Sequence, residues 1–352
     1  MYGLVFFLWV ACKQSEDEIT LIWKNDRAVG IIMPARLFVQ ITDEQLKANL
    51  KVVRSGHRTD NGILGDLIFK EDAVIFVPLI PFTPEYDFDI LYDGKLMSKV
   101  KIPLSKQNSP PKLVAIYPQQ DTLPENQLKL YLHFDKPMRT GNALDYITLL
   151  DKNKDTLHRV FLNLQPELWD TSGTVLTLWL DPGRIKRDLV LNRELGNPLK
   201  QSQSYTLIIS PDWKDTHGIA LQTPYTKQFV AGRRDGEIPD INKWHIDIPK
   251  AGSSKPLTID TGEPLDHYLL MESISIVDAN GAIVKGQIEV KDNDRAWKFT
   301  PLNSWKAQTY KLHVTANLED LAGNNLNRVF DRDIYKDKQQ NKDWFERRFV
   351  VK

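Results

Sequence analysis

One block of sequence occurs three times along this 352-residue chain, at intervals the size of a domain. Each block has a strand-like run ending in proline, then a tyrosine-led run, then a glycine turn. The first copy reads Ala73-Val-Ile-Phe-Val-Pro78, then Tyr86-Asp-Phe-Asp-Ile90, then Asp93-Gly94. The second reads Val175-Leu-Thr-Leu-Trp-Leu-Asp-Pro182, Tyr205-Thr-Leu-Ile-Ile209 and Lys214-Asp-Thr-His-Gly218. The third reads Ala296-Trp-Lys-Phe-Thr-Pro301, Tyr310-Lys-Leu-His-Val314 and Glu319-Asp-Leu-Ala-Gly323-Asn. A period of more than a hundred residues makes each copy a domain of its own, because a solenoid repeats every 20–50 residues.

Inside each block the apolar residues alternate, as in a half-buried strand. Tyr86, Phe88 and Ile90 fall on one face, as do Tyr205, Leu207 and Ile209, and Tyr310, Leu312 and Val314. Proline cannot donate to a ladder and so belongs at a strand end. Glycine after polar residues suits a turn of positive φ. Upstream, each copy has two further strand-like runs joined by a polar turn: 50–53 and 63–67, 147–150 and 160–162, 274–277 and 284–288. Closing strands are expected near 98–102, 226–231 and 347–351. Many short strands with turns at close spacing predict an all-β chain of three tandem β-sandwiches. The expected domains are 19–105, 111–232 and 240–352.

Copy two opens with Val114-Ala-Ile-Tyr-Pro118, then Leu123-Pro124, then Phe134-Asp-Lys-Pro137-Met138. Copy three carries Leu318-Glu-Asp-Leu-Ala-Gly-Asn324. These elements resemble the bacterial Ig-like domains of S-layer and surface proteins over roughly 111–350. Copy one joins the comparison through the internal alignment, lacking a clear Phe-x-x-Pro-Met element. The resemblance implies three tandem Ig-like β-sandwich domains. It carries no activity, since a fold hosts many functions.

The amino terminus speaks to location. Residues 3–11 are uncharged and apolar, Ala11 precedes Cys12, and Glu16-Asp17-Glu18 follows. The apolar run is too short to span a bilayer and matches the core of a secretory signal. It resembles a bacterial lipoprotein signal, which implies cleavage after residue 11 and lipidation of Cys12, the only cysteine. No Lys or Arg precedes the apolar run, and Trp9 stands where such signals usually carry Leu. Residues 12–18 read as an acidic tether of the kind found on surface-exposed lipoproteins. The implied location is the bacterial cell envelope, as an outer membrane lipoprotein on its periplasmic or exterior face. Several acyl chains on one cysteine would hold the chain at a membrane.

Charge and motif counts exclude several classes. Forty-six basic residues balance forty-six acidic ones, which removes the usual electrostatic warrant for nucleic acid. A single cysteine excludes an intrachain disulfide and a Cys-cluster zinc site. No histidine pair has helical zinc spacing, and no phosphate loop, dinucleotide fingerprint or nucleophile elbow is present. Asp151-x-Asn153-x-Asp155 starts like a calcium loop but has Thr156 and Leu162 where glycine and glutamate are needed. The expectation is therefore no cofactor, no metal and no catalytic residue. Asp320, Asn324 and Asn325 suit either a domain-edge calcium ion or plain turn chemistry. His133 and His313 fall on outward strand phases and read as solvated.

Two features mark candidate binding residues. Copy two carries about 14 extra residues within 183–198, with Arg184, Lys186, Arg187 and Arg193 facing only Asp188 and Glu194. Such a loop would either dock a carboxylate, an anionic glycan or an acidic partner through charge-assisted bonds, or pack against a neighbouring copy and pair with its acids. Copy three has its own insertion at 327–343. Trp213 and Trp305 lie near turns, where an exposed ring would stack on sugar. The leading expectation is a non-catalytic, lipid-anchored envelope protein acting as an adhesion, interaction or spacer module with a protein or glycan partner. The alternative is a carbohydrate-binding accessory lipoprotein, with a hydrolase third.

Overall fold

A computed structural model describes residues 19–24, 27–56, 62–104, 109–332 and 341–352. The chain forms two compact units, Met1–Pro110 with Thr216–Ile219, and Pro111–Asp215 with Ala220–Lys352. Cys12, the expected signal 1–11 and tether 12–18, and residues 333–340 of the copy-three insertion lie outside the described residues.

The first unit holds one two-sheet sandwich. Its strands are β1 (Thr20–Lys24), β2 (Arg27–Pro34), β3 (Leu50–Arg54), β4 (Gly65–Phe69), β5 (Ala73–Pro78), β6 (Asp87–Tyr92) and β7 (Lys95–Lys101). One sheet runs β1-β2-β5-β4 and the other β3-β6-β7. Helix α1 (Asp43–Asn49) starts at a capping box in which Thr42 and Gln45 satisfy each other's backbone N–H. Ile31, Met33, Phe76, Phe88 and Ile90 fill the core. Tyr86 departs from expectation: it lies one residue before β6, is exposed, and stacks under the Arg54 guanidinium at 3.8 Å.

The second unit holds two sandwiches. The middle one is built from β8 (Leu113–Tyr117), β9 (Thr122–Pro124), β10 (Lys129–Phe134), β11 (Ile147–Leu150), β12 (Val175–Trp179), β13 (Ser204–Ile209) and β14 (Tyr225–Gly232). Its sheets are β12-β10-β8 and β11-β13-β14-β9, with β9 parallel to β14. The insertion after Pro182 folds as two short helices, α2 (Pro182–Ile185) and α3 (Val190–Leu195). The last sandwich has β15 (His245–Asp247), β16 (Leu257–Asp260), β17 (Ile274–Val277), β18 (Gly286–Lys291), β19 (Ala296–Pro301), β20 (Gln308–Thr315) and β21 (Trp344–Val351). Helix α4 (His267–Glu272) precedes β17. Its sheets run β15-β16-β19-β18 and β17-β20-β21.

Strand order identifies the architecture. Lettered A to G along the chain, the first and last sandwiches read A-B-E-D against C-F-G, the constant-type immunoglobulin arrangement. The middle one keeps A-B-E and C-F-G but lacks strand D. There the expected strand at 160–162 is reduced to a single bridge between Phe161 and Leu180. The two upstream runs of each copy do not form a hairpin sheet: β3 and β4, and β17 and β18, belong to opposite sheets. The repeated tyrosine also finds its reason. Tyr205 and Tyr310 are buried at the start of strand F, and each hydroxyl accepts a backbone N–H from just upstream, Lys200 at 2.8 Å and Lys306 at 3.1 Å. That is the tyrosine corner of immunoglobulin sandwiches.

Candidate functional site

The residues singled out in the sequence are largely consumed by the fold. Trp213 and Trp305 are not exposed rings; both are fully buried, which corrects the expectation of sugar stacking. Trp213 stacks on Tyr146 with centroids 5.4 Å apart and donates from Nε1 to the Arg139 carbonyl. Trp305 meets Tyr310 edge-on and donates to the Lys255 carbonyl at 2.8 Å. A buried indole with its N–H satisfied is core material.

Arg184 is likewise internal. The residue is 8% exposed, and its guanidinium donates to the carbonyls of His158, Arg159, Leu195, Gly196 and Asn197. Five donors in a fixed fork can gather five carbonyls, so Arg184 ties the insertion to the 158–159 loop and is not free for a ligand. Burial pulls its pKa down from the ordinary arginine value. Arg193 donates to the Asp188 carbonyl at 2.7 and 2.9 Å, within its own loop. Lys186 sits 4.3 Å over the Phe330 ring, and Arg187 pairs with Asp331 at 2.7 Å. Phe330 and Asp331 belong to the third copy, so the insertion faces its neighbour.

These contacts form one edge of a polar joint between the middle and last sandwiches. Strand β10 shows how it is built. Leu130, Leu132 and Phe134 point into the core, so Lys129, Tyr131 and His133 point outward. That outward face is covered by the last sandwich. Lys129 Nζ lies 2.6 Å from Glu319 Oε2 and 3.4 Å from Asp266 Oδ2, and the Tyr131 hydroxyl donates to Asp266 Oδ2 at 2.7 Å. His133 packs edge-on to Tyr268 instead of standing free in water. Beside them His267 stacks on Tyr117 with centroids 3.5 Å apart, its Nδ1 2.6 Å from Asp294. Burial opposes the Lys129 charge, but the two carboxylates hold its pKa above the ordinary lysine value. Burial and the neighbouring Asp266 push Tyr131 far up, so it stays a neutral donor.

The Leu318–Asn324 turn supplies most of the rest. Leu318 enters the last core, Glu319 meets Lys129, and Leu321 enters the middle core. The Leu128 N–H donates to the Leu321 carbonyl at 3.0 Å. Asp320 Oδ1 accepts from the backbone N–H groups of Ala322 and Asn324, which shapes the turn. Gly323 has φ of +81°, and a Cβ there would collide with the Leu128 side chain, so only glycine fits. Asn324 and Asn126 both donate to the Asp235 carbonyl. Asp331 joins the two sandwiches again through Arg234 and Arg187. Burial alone would raise Asp331, yet the two guanidinium groups hold its carboxyl below the usual range.

Three carboxylates, Asp235, Glu263 and Asp320, come within 4.8 Å of one another at this joint. Burial first, then the nearby Asp235, raises Asp320 to about 8 and Glu263 to about 7. The group has cation-binding chemistry, but Asp320 already spends both oxygens on its own turn. The Asp151 loop is a hairpin turn, with Oδ1 accepting from Asn153 and Asp155.

No protein-family model and no curated protein matches the chain. Among solved structures, the S-layer protein rSbsC is similar at 15% identity over 59% of this chain and 24% of its own, TM-score 0.24. Titin domains A168–A170 are similar at 8% identity over 87% of this chain and 92% of theirs, TM-score 0.27. The Ig1-2 module of the Drosophila receptor protein tyrosine phosphatase DLAR is similar at 12% identity over 60% and 93%, TM-score 0.21. This chain therefore spans about a quarter of the S-layer protein. The immunoglobulin-type assignment rests on strand order and the two tyrosine corners. Among the described residues, no helix is long and apolar enough to cross a membrane.

Proposed function

We propose that this is a non-catalytic envelope protein, anchored through a lipid on Cys12, whose Ig-like sandwiches act as a spacer and interaction module. The observation that carries the reading is the joint. The basic and aromatic side chains that alternation places on the outer face of β10 are engaged by the last sandwich. So are the Lys186 and Arg187 side chains of the insertion. Middle and last sandwiches tied together in this way are suited to presenting their outer surfaces to a partner as one body. The signal-like residues 3–11, with Cys12 at the apolar-to-polar switch, support the anchor. The burial of Trp213 and Trp305 takes away the rings on which the carbohydrate-binding alternative stood. Membrane fractionation of wild type and Cys12→Ala tests the anchor. The wild type is expected in the membrane fraction and the variant in the soluble fraction; a variant that still sediments with membranes overturns it.

A further inference from the structure

The missing strand D leaves a gap in the middle sandwich, and the gap has the features of a small binding site. Leu180 N–H bonds to Leu128 O and Phe134 N–H to Thr174 O, so the even residues of strand β12 face β10. Val175, Thr177 and Trp179 therefore present their backbone groups to the outer edge. On that edge Val175 O accepts from Asp170, Thr177 N–H donates to Leu168 O, and Trp179 O accepts from Leu162. Continuing the register from 168 opposite 177 would place residue 166 opposite 179. Residue 162 stands there instead, so residues 163–166 loop out as a four-residue bulge. Among the described residues, this leaves Thr177 C=O and Trp179 N–H without a protein partner.

Thr177 and Trp179 line a pocket of about 100 Å³, with apolar lining from Leu144, Leu162, Leu164, Leu176 and Leu178. It is smaller than a site for a whole drug-sized ligand and suits a single side chain. The Glu167 carboxylate fixes the rim, accepting from Gly141 and Ala143 N–H and from Trp169 Nε1. We infer that this pocket binds a single apolar amino-acid residue flanked by two amide groups, as one residue of an extended peptide or an N-acyl amino-acid amide presents it. In antiparallel pairing the preceding C=O accepts from Trp179 N–H, and the following N–H donates to Thr177 C=O. The residue between them lies opposite Leu178 and projects its side chain to the same face. Leu178 points inward, so the guest side chain enters the leucine pocket. This is strand addition on the scale of one residue, main-chain bonds giving affinity and the pocket giving choice.

The test is ligand-observed NMR on the full chain with N-acetyl-leucine N-methylamide as probe. The leucine diamide is expected to bind. N-acetyl-glycine N-methylamide, which lacks the side chain, is expected to bind at least tenfold more weakly. N-acetyl-leucine methyl ester lacks the N–H for Thr177 and is expected to bind about fivefold more weakly, the effect of one hydrogen bond. Leu144→Trp, which fills the pocket from its half-buried rim, is expected to abolish binding with the circular dichroism spectrum unchanged. Absence of binding by the leucine diamide overturns the inference, as does equal binding by the glycine compound or by the ester. Should the variant fold poorly, the three-ligand comparison on wild type still decides.

Discussion

Lys129 sits at the centre of the joint, 12% exposed between two carboxylates. Removing one member of a buried ionic group leaves the others charged and unpaired, which costs about 3–5 kcal/mol. Lys129→Ala should therefore lower the unfolding free energy of the second unit by about 3–5 kcal/mol, read from denaturant titration followed by tryptophan fluorescence; a change below about 1 kcal/mol would contradict the network. Arg187 provides the contrast. Its side chain is 65% exposed, so its pair with Asp331 is screened and Arg187→Ala should stay within about 1 kcal/mol of wild type. Asp320 and Glu263 carry the pH dependence. Their folded pKa values, about 8 and about 7, lie above those of an unfolded carboxylate. The folded state then holds protons that the unfolded state releases, so their contribution falls as pH rises from about 4 to about 8. Melting temperature should drop between pH 5 and pH 8.5, and Asp320→Asn should flatten the slope. A melting temperature that rises over that range would refute the assignment.

At the scale of elements, the strands were legible in the sequence because period-two alternation and terminal prolines mark them directly. The proline runs became β5, β12 and β19, although β12 stops at Trp179 and Pro182 opens α2, and the tyrosine runs became β6, β13 and β20. Sheet membership was less legible, since a polar turn between two runs is compatible with a hairpin or with a crossing to the opposite sheet. The joint was legible only as a turn. Leu318-Glu-Asp-Leu-Ala-Gly-Asn324 displays its Asx turn and its glycine, but nothing in the order of residues says that Leu321 fills another domain's core. The signal available was an apolar residue inside a turn. The basic loop was half legible: its reading as a loop that pairs with acids of a neighbouring copy holds for Arg187 and Asp331, but burial was not visible, and Arg184 turned out to bind carbonyls. Two variants test this level by thermal melts. Arg184→Ala strands five carbonyls and should cost about 2 kcal/mol. Gly323→Ala forces a left-handed backbone and drives a methyl into Leu128, and should cost about 1–3 kcal/mol. Melting curves indistinguishable from wild type would mean that the insertion and the turn do not hold the joint.

At the scale of the molecule, the account holds that the middle and last sandwiches behave as one body because their facing side chains are spent on each other. The measurement closest to that claim is a distance distribution between spin labels at Lys152 and Asn280, both exposed and one on each sandwich, in a Cys12→Ser background. The account expects a single narrow distribution in wild type. It expects that distribution to broaden when Lys129→Ala is combined with Arg234→Ala, which removes both ends of the polar joint. A broad or multi-peaked distribution in wild type, or a narrow one unchanged in the double variant, would contradict it.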